Sequence, residues 1–97
     1  INDDETPTHD RARQHWRTLG ATKQAAMRCQ DPVFWAFLSE EMHFPEIHQE
    51  EQAAQALREI CRIGSRADLD KPLYSEARQV WHELDNHFQG WRAAEHA

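Results

Sequence analysis

An all-α fold is what this sequence predicts: a single compact domain of about five helices, packed as an irregular or orthogonal bundle. Three observations lead there. The four tryptophans, Trp16, Trp35, Trp81 and Trp91, all lie in helix-like stretches beside other large apolar residues. The run Leu73, Ala77, Val80, Leu84, Phe88, Trp91 steps by three and four, which keeps one face of a helix apolar. Nothing alternates apolar and polar at period two, so no sheet is expected.

Each element has its own signals. Residues 1–7 read as a flexible N-terminal arm and 8–97 as the helical domain. Thr8 or Asp10 suits the cap of a first helix that runs to about Leu19 and is ended by Gly20. Its apolar content is thin, so Trp16 is expected to pin it to the rest. Thr22 suits the cap of a short second helix to Gln30, in which Ala25 and Ala26 permit close packing. Asp31-Pro32 marks the next start. An aspartate accepts from free first-turn amides, and proline at the first helical position forfeits no hydrogen bond. That third helix, Pro32 to about Met42, carries Phe34, Trp35, Phe37 and Leu38 and is expected to be the most buried.

Pro45 breaks the connection that follows, with Phe44 and Ile47 folding back on the core. The fourth helix spans about Gln49 to Arg62, with Gly64 as a left-handed stop. Ser65 to Asp68 has the form of a capping box, with Asp in place of the usual Glu or Gln, and carries Leu69 inward. Asp70 is expected to cap the last helix, with Pro72 in its first turn, which runs to about Ala93. Trp35 and Trp81 are the expected core tryptophans.

Composition narrows the class. The chain has 97 residues, 39% hydrophobic and 29% charged, which suits one globular domain. So small a core makes each buried aromatic ring worth on the order of a few kcal/mol. No apolar run approaches the roughly 20 residues that span a bilayer, so no membrane partner is expected. Residues 1–10 are polar and acidic, without the apolar stretch of a signal peptide. Cys29 and Cys61, among apolar neighbours, read as buried thiols of a reduced, cytoplasmic chain rather than a disulfide. The start at Ile1 rather than Met leaves a longer parent chain open.

Charge is unevenly spread over a formal net of −6. Residues 1–10 hold four acids and no Lys or Arg. Residues 11–30 hold Arg11, Arg13, Arg17, Lys23 and Arg28 and no acid. Residues 40–59 hold Glu40, Glu41, Glu46, Glu50, Glu51 and Glu59 against Arg58 alone. The basic block could meet phosphates or a protein partner. The acidic cluster Glu40, Glu41, Glu46, Glu50 and Glu51 could meet a basic partner or imitate a phosphate track.

Catalytic signatures are weak. The histidine pairs His43/His48 and His82/His87 are five residues apart, where helical ligand pairs stand three or four apart. No Cys-x-x-Cys, glycine-rich phosphate loop or serine signature occurs. The expectation is a non-enzymatic protein with no metal and no cofactor.

Two stretches, Cys29-Gln30-Asp31-Pro32-Val33-Phe34-Trp35-Ala36-Phe37-Leu38 and Ile60-Cys61-Arg62-Ile63-Gly64-Ser65-Arg66-Ala67-Asp68-Leu69-Asp70, resemble segments of small uncharacterised helical domains in phage and prophage proteins. The likeness spans about residues 12–92. It implies a mobile-element accessory protein acting near DNA replication, recombination or host defence, and it transfers no site residue. The expected function is a binding module that engages proteins of nucleic-acid metabolism or host defence through charged faces. The alternatives are an acidic nucleic-acid mimic that inhibits a DNA-binding or nuclease complex, and direct DNA binding through residues 11–28. The oligomeric state stays open.

Overall fold

Residues 15–95 are described by a computed structural model of the chain. The expected arm at 1–7, the caps Thr8 and Asp10, and Arg11 and Arg13 lie outside the described residues. Residues 15–18 are the helical end of the first segment. Then come α1 (Ala21–Cys29), α2 (Pro32–Glu40), α3 (Glu50–Cys61), 3₁₀ turns at Arg66–Asp70 and Pro72–Tyr74, and α4 (Ser75–Glu95). Among the described residues there is no strand, so the domain is all-α.

The 21-residue α4 packs against every other one of these named elements. It is the axis of the bundle; α2, expected to be the most buried helix, lies on one side of it and buries only the Phe34, Phe37 and Leu38 face. Trp81 and Phe88 of α4 are fully buried against Phe34 and Phe37 of α2. The Phe34 and Phe88 rings meet edge to face, with centroids 5.0 Å apart and an interplanar angle of 89°. Phe37 adds an edge-on contact with Phe88 at 5.4 Å and a tilted one with Trp91 at 5.5 Å. Such pairs favour edge-on geometry because ring edges are positive and faces negative.

Within α2 the buried residues are Phe34, Phe37 and Leu38, spaced three and four. Trp35 falls outside that stripe and is only partly buried, which corrects its reading as core. Its indole N–H donates to the Cys29 carbonyl at 2.7 Å, so it latches α2 onto the end of α1. Asp31 does cap α2, accepting from the Val33 amide at 2.9 Å.

A buried polar network ties the first segment to the axis. Asp85 of α4 is 3% exposed. It accepts from Arg28 Nε at 2.6 Å, Gln89 Nε2 at 2.7 Å and Trp16 Nε1 at 3.1 Å. The Arg28 guanidinium also lies 4.0 Å above the Trp16 ring. Gln24, itself buried, donates to the Trp16 carbonyl at 2.7 Å and accepts from Trp81 Nε1 at 3.0 Å. Trp16 therefore pins its segment as expected, through its N–H and carbonyl as much as through its ring.

Four sequence expectations about helix ends are corrected. Thr22 does not cap α1; the cap position is Gly20, and the free amides of Ala21 and Thr22 donate to Asp70 at 3.0 and 3.3 Å. Asp70 thus serves α1, not the last helix, from 49 residues away. A side chain at Gly20 would put its Cβ 3.0 Å from Asp70 Oδ2, tighter than an ordinary contact, so the capping carboxylate would have to shift. Gly64 is not the left-handed stop of α3. Arg62 is, at φ 59° and ψ 50°, and the Ile63 amide donates back to the Arg58 carbonyl at 3.0 Å. This register turns Ile63 into the core and leaves Arg62 outside, which glycine two residues later could not do. Leu73, read as the start of the apolar stripe, is 94% exposed, because a separate 3₁₀ turn carries it and α4 begins only at Ser75.

The Ser65 cap forms as expected. Ser65 Oγ accepts from Ala67 N–H at 3.2 Å and Asp68 Oδ2 from Gly64 N–H at 3.3 Å. Lys71 Nζ donates to Asp68 at 2.6 Å, and this bond above all holds the Asp68 carboxyl below its usual range.

Two stability predictions follow from this packing. Asp85→Ala leaves the Arg28 charge buried without its partner and is expected to cost about 3–5 kcal/mol in urea denaturation. Trp81→Ala is expected to cost about as much, and Trp35→Ala about half, since a partly exposed ring returns less surface to water. The second prediction concerns the distant cap. Asp70→Ala is expected to cost about 1 kcal/mol and to speed hydrogen exchange at the Ala21 and Thr22 amides. Unchanged exchange there would mean that Asp70 is not the cap.

Candidate functional site

The connection between α2 and α3 shapes the surface of interest. His43 takes the left-handed region at φ 67°, and the Phe44 amide donates back to the Leu38 carbonyl at 3.0 Å. The chain reverses and lays residues 44–48 between α2 and α3. Ile47 is buried, and the His48 amide is held by Gln52 Oε1 at 2.6 Å. This run separates two adjoining pockets that share Glu46 and Ile47, the two lobes of a groove interrupted by Ile47. One lobe, about 330 Å³, lies toward α3 over Phe44, Pro45, Ile47 and Ala56. The other, about 460 Å³, lies toward α2 over Pro32, Trp35, Ala36 and Ile47. Glu46 and Ile47 line both.

Among the described residues, the charged side chains lining this groove are all carboxylates: Glu46 and Glu59 in the first lobe, Glu40 and Glu46 in the second. All three are exposed. Among the described residues, no cation stands within 4.0 Å of Glu40 or Glu59, and Glu46 has only His48 at 3.9 Å.

The other three glutamates of the sequence cluster are tied down. Glu51 accepts from Arg58 at 2.8 Å, which holds its carboxyl below the usual range. Glu50 accepts from Arg66 at 3.3 Å, and Glu41 faces His87 at 3.0 Å. The fold therefore divides the sequence cluster: Glu40 and Glu46 rim the groove, while Glu41 and Glu50 tie separate elements together and Glu51 pairs within α3.

The basic block divides too. Arg17 and Lys23 are exposed. Arg28 is withdrawn into the Asp85 network, with its side chain 12% exposed and its Nε 2.6 Å from the buried Asp85 carboxylate. It is a packing residue rather than a surface cation. Sequence reading missed Glu59 and Trp35 as groove residues. Glu59 was visible only as one charge in a block, and Trp35 as a core ring. The signal for both was positional: each is a neighbour, in helical register, of a stripe it does not belong to.

A second groove, about 500 Å³, lies between α3 and α4 beside Leu73, Tyr74 and Val80. Its charged lining is mixed, Arg62 and Glu76, so it favours no sign of ligand. Among the described residues, no three or more His, Cys, Asp or Glu side chains are grouped to hold a metal ion, and no helix is long and apolar enough to cross a membrane.

Both cysteines are buried free thiols, as expected. Burial pushes the Cys61 thiol up to about 11, and the neighbouring Cys29 adds to this. Burial also raises Cys29, outweighing the opposing pull of the Arg66 guanidinium. With a raised pKa the reactive thiolate appears only as pH climbs toward that value. At pH 8 about one Cys61 in a thousand is thiolate, and it is shielded as well. Iodoacetamide is expected to label neither cysteine in the native protein at pH 8 and both in denaturant. Rapid native labelling would contradict this burial.

Comparisons with protein-family models, with curated proteins and with solved structures find no match.

Proposed function

We propose that this chain is a non-enzymatic binding module, an accessory protein of phage or mobile-element type that engages a protein of nucleic-acid metabolism or host defence. The observation that carries the reading is the groove between α2 and α3, apolar at its floor and lined by charges of one sign. An apolar floor supplies affinity through surface removed from water. A rim of like charge selects the partner and speeds its encounter. The likeness of Cys29–Leu38 and Ile60–Asp70 to phage and prophage segments supports the mobile-element setting.

The two alternatives have less support. A phosphate mimic needs a rigid track of available carboxylates, and three of the five candidates are engaged by Arg58, Arg66 and His87. Direct DNA binding through residues 11–28 would draw on Arg28, whose guanidinium is held by Asp85 and stacked on Trp16.

The immobilised protein tests this reading against a bacterial extract, with and without nuclease. A protein partner retained after nuclease treatment, released by salt, and lost when Glu40, Glu46 and Glu59 are changed to lysine is the expected outcome. Reversal of Arg11, Arg13 and Arg17 to glutamate is expected to leave capture unchanged. Binding that vanishes with nuclease, or that responds only to the arginine reversals, would favour DNA. Affinity that is flat from low to high salt would remove the charged-face account.

A further inference from the structure

Resting on the binding-module reading, we propose that the groove over Ile47 takes a basic amphipathic helix of its partner, apolar side chains in the two lobes and Lys or Arg on the glutamate rim. The occupant follows from the chemistry of the lining. Phe44, Pro45 and Ala56 in one lobe and Pro32, Trp35 and Ala36 in the other present apolar surface on either side of Ile47. A ligand that fills both must offer apolar groups at two separated points along one face. A helix does so with residues three and four apart.

The charge of the rest of that helix is set by the rim. Glu40, Glu46 and Glu59 are exposed, and among the described residues no guanidinium or ammonium lines either lobe. An acidic or nucleic-acid ligand would meet repulsion at every charged position. A neutral one would leave the three carboxylates without gain. A second copy of this chain fits poorly as occupant, because among the described residues its large exposed apolar side chains are Met27 on the short α1 and Leu73 in a 3₁₀ turn, one anchor on each of two separate elements where the two lobes call for two on one face. The neighbouring pairs Glu51–Arg58 and Glu50–Arg66 add support of another kind. They engage Arg58 and Arg66 with other carboxylates, so among the described residues neither cation pairs with Glu40, Glu46 or Glu59.

The test uses the full chain and a fluorescein-labelled synthetic helical peptide with leucines on one face and lysines on the other. Anisotropy is read against salt. The wild type is expected to bind, and E46K/E59K to weaken binding by about tenfold or more. E76K/E83K makes the same change in net charge on a different surface and is expected to stay within about threefold of wild type. Gln55 is exposed in the first lobe, so Q55W should block the lobe while circular dichroism stays unchanged. It too is expected to weaken binding. The same peptide with glutamates in place of lysines, and the lysine peptide with serines in place of leucines, are expected not to bind.

Equal loss in E46K/E59K and E76K/E83K would overturn the proposal in favour of unspecific charge attraction. Binding of the glutamate peptide, or none of the lysine peptide, would overturn it as well. A partner captured from extract whose binding ignores both E46K/E59K and Q55W would overturn the groove assignment while leaving the binding-module reading standing.

Discussion

The carboxylate of Asp85 is the constraint on which much of this small domain depends. It sits almost wholly buried on α4, the helix that touches all the other named elements. A buried carboxylate is tolerable only when its lone pairs are filled and its charge is opposed. Arg28 opposes the charge, and Trp16 and Gln89 fill the remaining sites. Those demands draw the first segment and α1 to one place on α4. Gln24 extends the same logic, joining the Trp16 carbonyl to the Trp81 indole. Among the described residues no buried side-chain nitrogen or oxygen is left without a partner. The apolar core alone would hold these helices together. The polar network sets their register.

A second long-range device works at the opposite end of α1. Asp70 closes the helix start that local sequence leaves open, and the 3₁₀ turn that carries it also accepts from Thr22 Oγ1 at the Arg66 carbonyl, 2.9 Å away. The bare backbone at Gly20 makes room. Thus α1, with two alanines buried and little aromatic content of its own, is held at its start by the 3₁₀ turn and at its end by the Trp35 latch and Asp85. Stability of this kind is cooperative, since each tie depends on elements distant in sequence.

Charge shows how folding redistributes what a linear reading groups together. Residues 40–59 look like one acidic block. In three dimensions some of its members meet basic side chains on other elements, or about two turns further along their own helix, and the others border an apolar groove. The basic block likewise gives up Arg28 to the interior. Net charge along the sequence predicts a field at long range. It does not say which charges remain available at contact distance.

What the sequence by itself determined is the helical class, the order of the elements and most of the core. Those follow from local spacing: Phe34, Phe37 and Leu38, or Trp81, Leu84 and Phe88, fall on one face of any helix they form. The Asp31-Pro32 start and the Ser65 cap were legible because their bonds close within a few residues. Phe44 and Ile47 folding back was legible too, from Pro45 and the apolar pair around it. Tertiary structure alone decided that Asp70 serves α1, that Arg62 rather than Gly64 turns left-handed, that Leu73 faces solvent and that Glu59 and Trp35 border the groove. Each of these depends on where a distant element lies, and a one-dimensional pattern carries no distance between segments that meet only after folding.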